Sequence, residues 1–94
     1  MKADDGVVEL TLDEACRLCA VEPEWVIEHV RTELITVEGD APASWRFSAH
    51  TLRRVRGLRH LERDFDADPE LAALVEDLRE EIARLRATLR RFGG

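Results

Sequence analysis

Cys16 and Cys19 stand three residues apart, and a C-x-x-C pair is a pattern shared by metal sites and redox-active thiols. A structural zinc site needs four ligands, and the three histidines, His29, His50 and His60, show no spacing that would complete one. Both thiols fall in a stretch that reads as helix, so they share a face. Free cysteine commonly packs as a small hydrophobe, and the pair is expected in the core. None of the histidines has a serine, cysteine or second histidine at triad or ligand spacing, and the sequence has no glycine-rich phosphate loop. No catalytic residue, cofactor or metal is expected, and the chain reads as non-enzymatic.

The chemistry that remains is electrostatic, and its charges are segregated. Residues 1–45 hold three basic groups (Lys2, Arg17, Arg31) against eleven acids, whereas residues 46–63 hold six arginines against Glu62 alone. Such a dipolar chain steers basic partners toward its N-terminal half. Within that half, the stretch PEWVIEHVRTEL, from Pro23 to Leu34, carries Glu24, Glu28 and Glu33 against Arg31 alone. It follows a short first helix and a tight turn, the place of the reading helix in a helix-turn-helix protein. DNA affinity comes largely from Lys and Arg displacing counterions, so an acidic helix is repelled from the groove. Glu24, Ile27, Glu28 and Arg31 fall on one face of this helix. Trp25 flanks the buried seam and fits either the core or an interface. The arginines of residues 53–63 keep a DNA-binding regulator as the alternative, although pairing with nearby carboxylates is the simpler reading of them.

The elements that position these groups are legible in the punctuation of the sequence. Residues 7–10 (VVEL) read as an extended lead-in. Thr11 and Glu14 form a capping box that starts helix one, Leu12 to about Cys19, with Leu12, Ala15, Cys16 and Cys19 inward. Pro23 opens helix two, whose buried seam is Val26, Val30 and Leu34. LITVE at 34–38 and WRF at 45–47, around a Gly/Pro loop, predict a β-hairpin wing, with Trp45 and Phe47 packed on the core. Ser48 caps a helix with the apolar line Leu52, Val55, Leu58 and Leu61. The last helix begins after Asp68-Pro69 and carries Leu71, Val75, Leu78, Ile82, Leu85, Leu89 and Phe92 at alternating spacings of four and three, a heptad seam. Either this seam packs back on the domain or it pairs with a second copy; a homodimer through Leu78, Ile82, Leu85 and Leu89 is the expectation.

Ninety-four residues with 45% hydrophobic and 36% charged content describe one small, folded, helix-rich domain. Residues 1–66 are expected to form a winged helix-turn-helix and 67–94 a coiled-coil-like helix. No apolar run reaches membrane-spanning length and MKADDG lacks a signal-peptide core, which makes the cytoplasm the expected compartment.

LTLDEACRLCAVEPEWV resembles the opening two helices of the MerR family of winged-helix regulators, LI at 34–35 the start of their wing, and WRFS its exit. Helix two departs from that pattern. Ile27, Glu28 and His29 stand where the family sets an Arg-Tyr-Tyr run against phosphates, so the resemblance implies that Ile27 points outward, and Glu33 stands where the family has a glycine. A narrower resemblance, over nearly the whole chain, is to the MerR-like chaperone modulators. It rests on the acidic helix after VEPEW, the W-x-F wing exit, RRVRGLRHLER, and DLREEIARLR ending in LRRF. The implied fold is mainly α, a MerR-like winged helix-turn-helix followed by a C-terminal dimerisation helix. The implied function is to bind the J-domain of a DnaJ/CbpA-type co-chaperone and occlude the face that DnaK needs. Asp13, Glu14 and Arg17 of helix one, with Glu24, Ile27, Glu28 and Arg31 of helix two, are then the partner-binding residues.

Overall fold

Thr11 starts the first helix as its side chain requires. In this computed structural model, which describes residues 9–93, Glu14 N–H donates to Thr11 Oγ1 at 3.2 Å and Thr11 N–H donates to Glu14 Oε1 at 2.9 Å. Val7 and Val8 of the expected lead-in lie outside the described residues; Glu9–Leu10 form strand β1. Helix α1 runs Leu12–Cys19 and ends on Ala20 in the left-handed region at φ 58°. Helix α2 opens on Pro23, whose missing N–H has no helical partner to lose at that position, and runs Pro23–Arg31.

That helix is one turn shorter than its sequence suggests. Leu34 N–H donates to the His29 carbonyl at 2.9 Å and Glu33 N–H to that of Val30 at 3.0 Å, the paired bonds of a Schellman ending. The turn puts Glu33 at φ 67°, where a side chain is strained and glycine is favoured. Ending there swings Ile35, not Leu34, into the core beside Val26; Leu34 and Val30 are only half-buried.

The wing is also reduced. In place of a hairpin ladder, residues 38 and 46 form a single antiparallel bridge. Strand β2, Phe47–Ser48, pairs instead with β1, Leu10 opposite Phe47. A 3-10 turn at Pro42–Ser44 takes up the tip, and Pro42 has no N–H to lend a ladder. Trp45 and Phe47 are both buried and meet edge to face at 6.4 Å, the packing expected of them.

Ser48 Oγ accepts from Thr51 N–H and caps helix α3, Ala49–Asp64. Its line of Leu52, Val55, Leu58 and Leu61 is buried throughout and receives α1, β2 and the last helix, α4, Pro69–Gly93. Asp68 Oδ1 caps α4 by accepting from Leu71 N–H at 2.8 Å. The face that α4 turns to α3 is not the heptad seam. It is Ala72, Ala73 and Glu76, small or slim groups that let two helices approach, while Val75 is half-buried. Leu71, Leu78, Ile82, Leu85, Leu89 and Phe92 stay 47% to 83% exposed, so the reading in which the seam packs back on its own domain does not hold.

Arg54 ties three segments together. Its Nε donates to the Leu34 carbonyl at 2.7 Å, and its Nη1 to Asp77 at 2.8 Å and Glu80 at 3.0 Å. This is pairing of an α3 arginine with carboxylates, the simpler of the two readings of that helix. Lysine offers one point charge and cannot reproduce the fork. Arg54→Lys is therefore expected to destabilise the fold by about 1–2 kcal/mol in urea titration. Glu33→Gly should act in the opposite sense, raising stability by roughly 0.5–1 kcal/mol, because glycine meets no Cβ penalty in the left-handed region.

Candidate partner-binding surface

The side chains expected to contact a partner are mostly where a partner could reach them. Asp13, Glu14 and Arg17 are exposed on α1, and Glu24, Glu28 and Arg31 are exposed on α2. The charges of Asp13, Glu22 and Glu24 all act on the buried thiol of Cys16, which places acids from α1 and from the start of α2 around one point. Further along α2, Arg31 Nη1 donates to Glu28 Oε1 at 2.8 Å; both groups are exposed, so the pair contributes little to stability. Glu14 uses one oxygen in the α1 cap. Ile27 is not a free outward anchor. It is half-buried and packs against the core.

Leu18 supplies the apolar exposure that Ile27 lacks. It is 51% exposed and lies four residues from Glu14 on the same face of α1. The signal was present in the sequence: once Ala15, Cys16 and Cys19 take the inward face, Leu18 must lie off it.

A second feature escaped the sequence entirely. Trp25 Nε1 donates to Glu62 Oε1 at 3.0 Å, and His29 Nε2 meets Glu62 Oε2 at 2.7 Å. His29 Nδ1 donates to the Trp25 carbonyl at 2.7 Å, and the two rings stack with centroids 3.8 Å apart. Glu62 thus fixes both side chains of α2 from α3, 33 and 37 residues away. The alternatives for Trp25 resolve to a half-buried indole with its polar atom satisfied, its ring walling a cleft with Val21, Arg59 and Arg63. His29 is buried. The only clue was that Glu62 is the one acid among six arginines in residues 46–63.

The cysteines are buried as expected and are not disulfide-bonded. Burial pushes the Cys16 thiol up, and the neighbouring acids push it further. Burial also raises Cys19, against the opposing influence of the Arg56 and Arg59 cations. The two thiols therefore stand at a border, one facing the acids of α1 and α2 and the other the arginines of α3. Among the described residues no group of three His, Cys, Asp or Glu is placed to hold a metal ion, and no helix is long and apolar enough to cross a membrane.

A capped helix, a tight turn, a second helix, a reduced wing and a third helix along the base form a winged helix-turn-helix. Residues 10–92 match the family described as MerR HTH family regulatory protein, and the chain belongs to that family. It is 32% identical over 81 residues to the chaperone modulatory protein CbpM of Coxiella burnetii strain Dugway 5J108-111, covering 86% of this chain and 76% of that one. It is 27% identical over 81 residues to the chaperone modulatory protein CbpM of Pseudomonas entomophila strain L48, covering 86% and 80%. No solved structure matches the chain at a significant level. The matched proteins carry the names of regulators and modulators, not of enzymes.

Removing the Glu62 carboxylate leaves two α2 side chains without their partner. Glu62→Ala is expected to lower stability by about 2–3 kcal/mol, the scale for stranding buried polar groups. Trp25 fluorescence should change with it in the folded baseline. An unchanged melting curve and spectrum would show that α2 is held by packing alone.

Proposed function

We propose that this protein is a non-enzymatic chaperone modulator that binds the J-domain of a DnaJ/CbpA-type co-chaperone in the cytoplasm and prevents it from stimulating DnaK. The observation that carries the reading is the exposed acidic face of α2, held in a helix-turn-helix frame, in a chain whose relatives are named chaperone modulatory proteins. Carboxylates on α1 and α2 would steer and select a basic helix, and Leu18 with the edge of Ile27 would add the desolvated contact that charge alone does not supply. Inhibition would follow from occlusion, with no chemistry at the site. DNA is a poor partner for such a helix, because the phosphates and Glu24 and Glu28 repel.

The exposed stripe of α4 supports a second part of the proposal, pairing of two copies through Leu78, Ile82, Leu85 and Leu89. A row of side chains each about half exposed or more is unusual on a monomer, and burying it is worth on the order of 1 kcal/mol or more per side chain.

Glu28→Lys should weaken J-domain binding at least tenfold in calorimetric titration, more than a rim charge alone is worth, because it sets like charge against a basic helix. Leu18→Asp should weaken it without loss of fold, since Leu18 is half in solvent already. Ile27→Asp is read beside its melting curve, because Ile27 also packs on the core. Wild-type affinity in both Glu28→Lys and Leu18→Asp would move the interface elsewhere. A salt-resistant complex with genomic duplex DNA would favour the transcriptional regulator instead. For the dimer, sedimentation of Ile82→Glu with Leu85→Glu should show half the wild-type mass; a wild-type monomer at high concentration contradicts the pairing.

A further inference from the structure

Glu76 lies where a helix–helix contact ordinarily has an apolar side chain. Together with Ala72 and Ala73 it forms the buried face of α4, and its carboxyl group occupies the space over Gly57 of α3. A Cβ added at Gly57 would collide with Cδ and both carboxyl oxygens of Glu76, so the missing side chain is what admits the group. Glu76 is 7% exposed, and its Oε2 receives no hydrogen bond among the described residues.

The charges around it do not replace the water it has lost. Arg79 Nη1 of α4 comes to 3.5 Å from Oε2 but is itself more than half exposed. Arg54 of α3 attracts it, yet its hydrogen bonds go to Leu34, Asp77 and Glu80. His60 of α3 adds a weaker attraction, and Glu80 of α4 repels. His50 and Arg53 of α3 line the adjoining depression of about 300 Å³ with Arg54, Arg79, Glu80 and Ala83. Burial outweighs these cations and raises the Glu76 carboxyl above its ordinary value.

We propose that the contact between α3 and α4 is a proton-operated latch, in which Glu76 seats α4 on Gly57 as a neutral acid and loosens that seat when it ionises. The sign follows from linkage. The folded carboxyl holds its proton more tightly than the unfolded chain does. Its contribution to stability is therefore fully present at the acid end, is lost as pH rises from the unfolded value through the higher folded one, and stays lost above that. The helix so released is the one carrying the exposed stripe, so its orientation on the domain becomes responsive to pH. The inference is independent of any partner on α1 and α2.

The test follows melting of the full-length protein from pH 4.5 to 8 for wild type, Glu76→Gln and Gly57→Ala. The glutamine variant should melt a few degrees above wild type at pH 8, and the gap should close toward pH 5. Gly57→Ala, which expels the carboxyl group to solvent while leaving Glu76 in the chain, should flatten the pH dependence in the same window. A glutamine variant that melts with or below wild type at pH 8, or a gap independent of pH, overturns the latch. Should either variant fail to fold, the ¹³C shift of the Glu76 carboxyl in wild type decides: a midpoint above that of the exposed glutamates supports the proposal, and one at or below it ends it.

Discussion

Leu52, Val55, Leu58 and Leu61 have to be covered from several directions at once, and that constraint organises the molecule. A line of four such side chains on one helix is worth about 1.5–3 kcal/mol each when buried, together more than any single polar contact in the fold. α1 and β2 cover it from one side and α4 from another. Burial of this kind has no direction, so it decides that the elements collapse onto α3 without deciding how they sit. The polar side chains flanking the line make that decision. Glu62 holds α2 through Trp25 and His29, and Arg54 holds the turn after α2 together with α4. α2, the turn after it and α4 are each registered on α3 by a side chain of fixed geometry.

The same arrangement separates the charges in space. Acids of α1 and α2 gather on one flank, while among the arginines of α3 Arg54 is an internal fastener and Arg56 and Arg59 act on Cys19 at the end of α1. A helix-turn-helix normally has to reserve positive charge on its second helix to approach DNA. Here Ile27, Glu28 and His29 take that stretch, and His29 has turned inward to Glu62. The frame is kept while the surface it presents has changed sign.

What could be read in the sequence was what neighbours decide. The capping box of Thr11 and Glu14, the Ser48 cap and the apolar line of α3 each involve residues close in sequence, and each is found in place. The end of α2 comes earlier than its apolar seam implies because Glu33 occupies a left-handed position that glycine usually marks; glutamate sends no such signal by itself, and only the glycine of the resembled family at that place points to it. The wing was misread because Phe47 finds its partner in Leu10, 37 residues earlier, and not across the nearby turn. The heptad of α4 was plain, but the face that meets α3 is built from two alanines and a glutamate, which no hydrophobicity pattern singles out. Ile27 was placed outward by analogy with relatives that set an arginine there, and an isoleucine folds inward when it can. The identity of the fold was legible; the half-buried edge of the candidate site was not.

The two thiols give this fold an internal gauge. Both thiols are buried, the charges acting on Cys16 come from the acids of α1 and the start of α2, those acting on Cys19 from the arginines of α3, and neither is in a disulfide. Their exposure to a small alkylating reagent is thus gated by different movements of the same domain. Modification at Cys16 alone would time the lifting of the acidic helix; simultaneous modification at both would time the parting of α1 from its base. A chain with no engineered label already carries two clocks, one turn apart, that can tell local breathing from global opening.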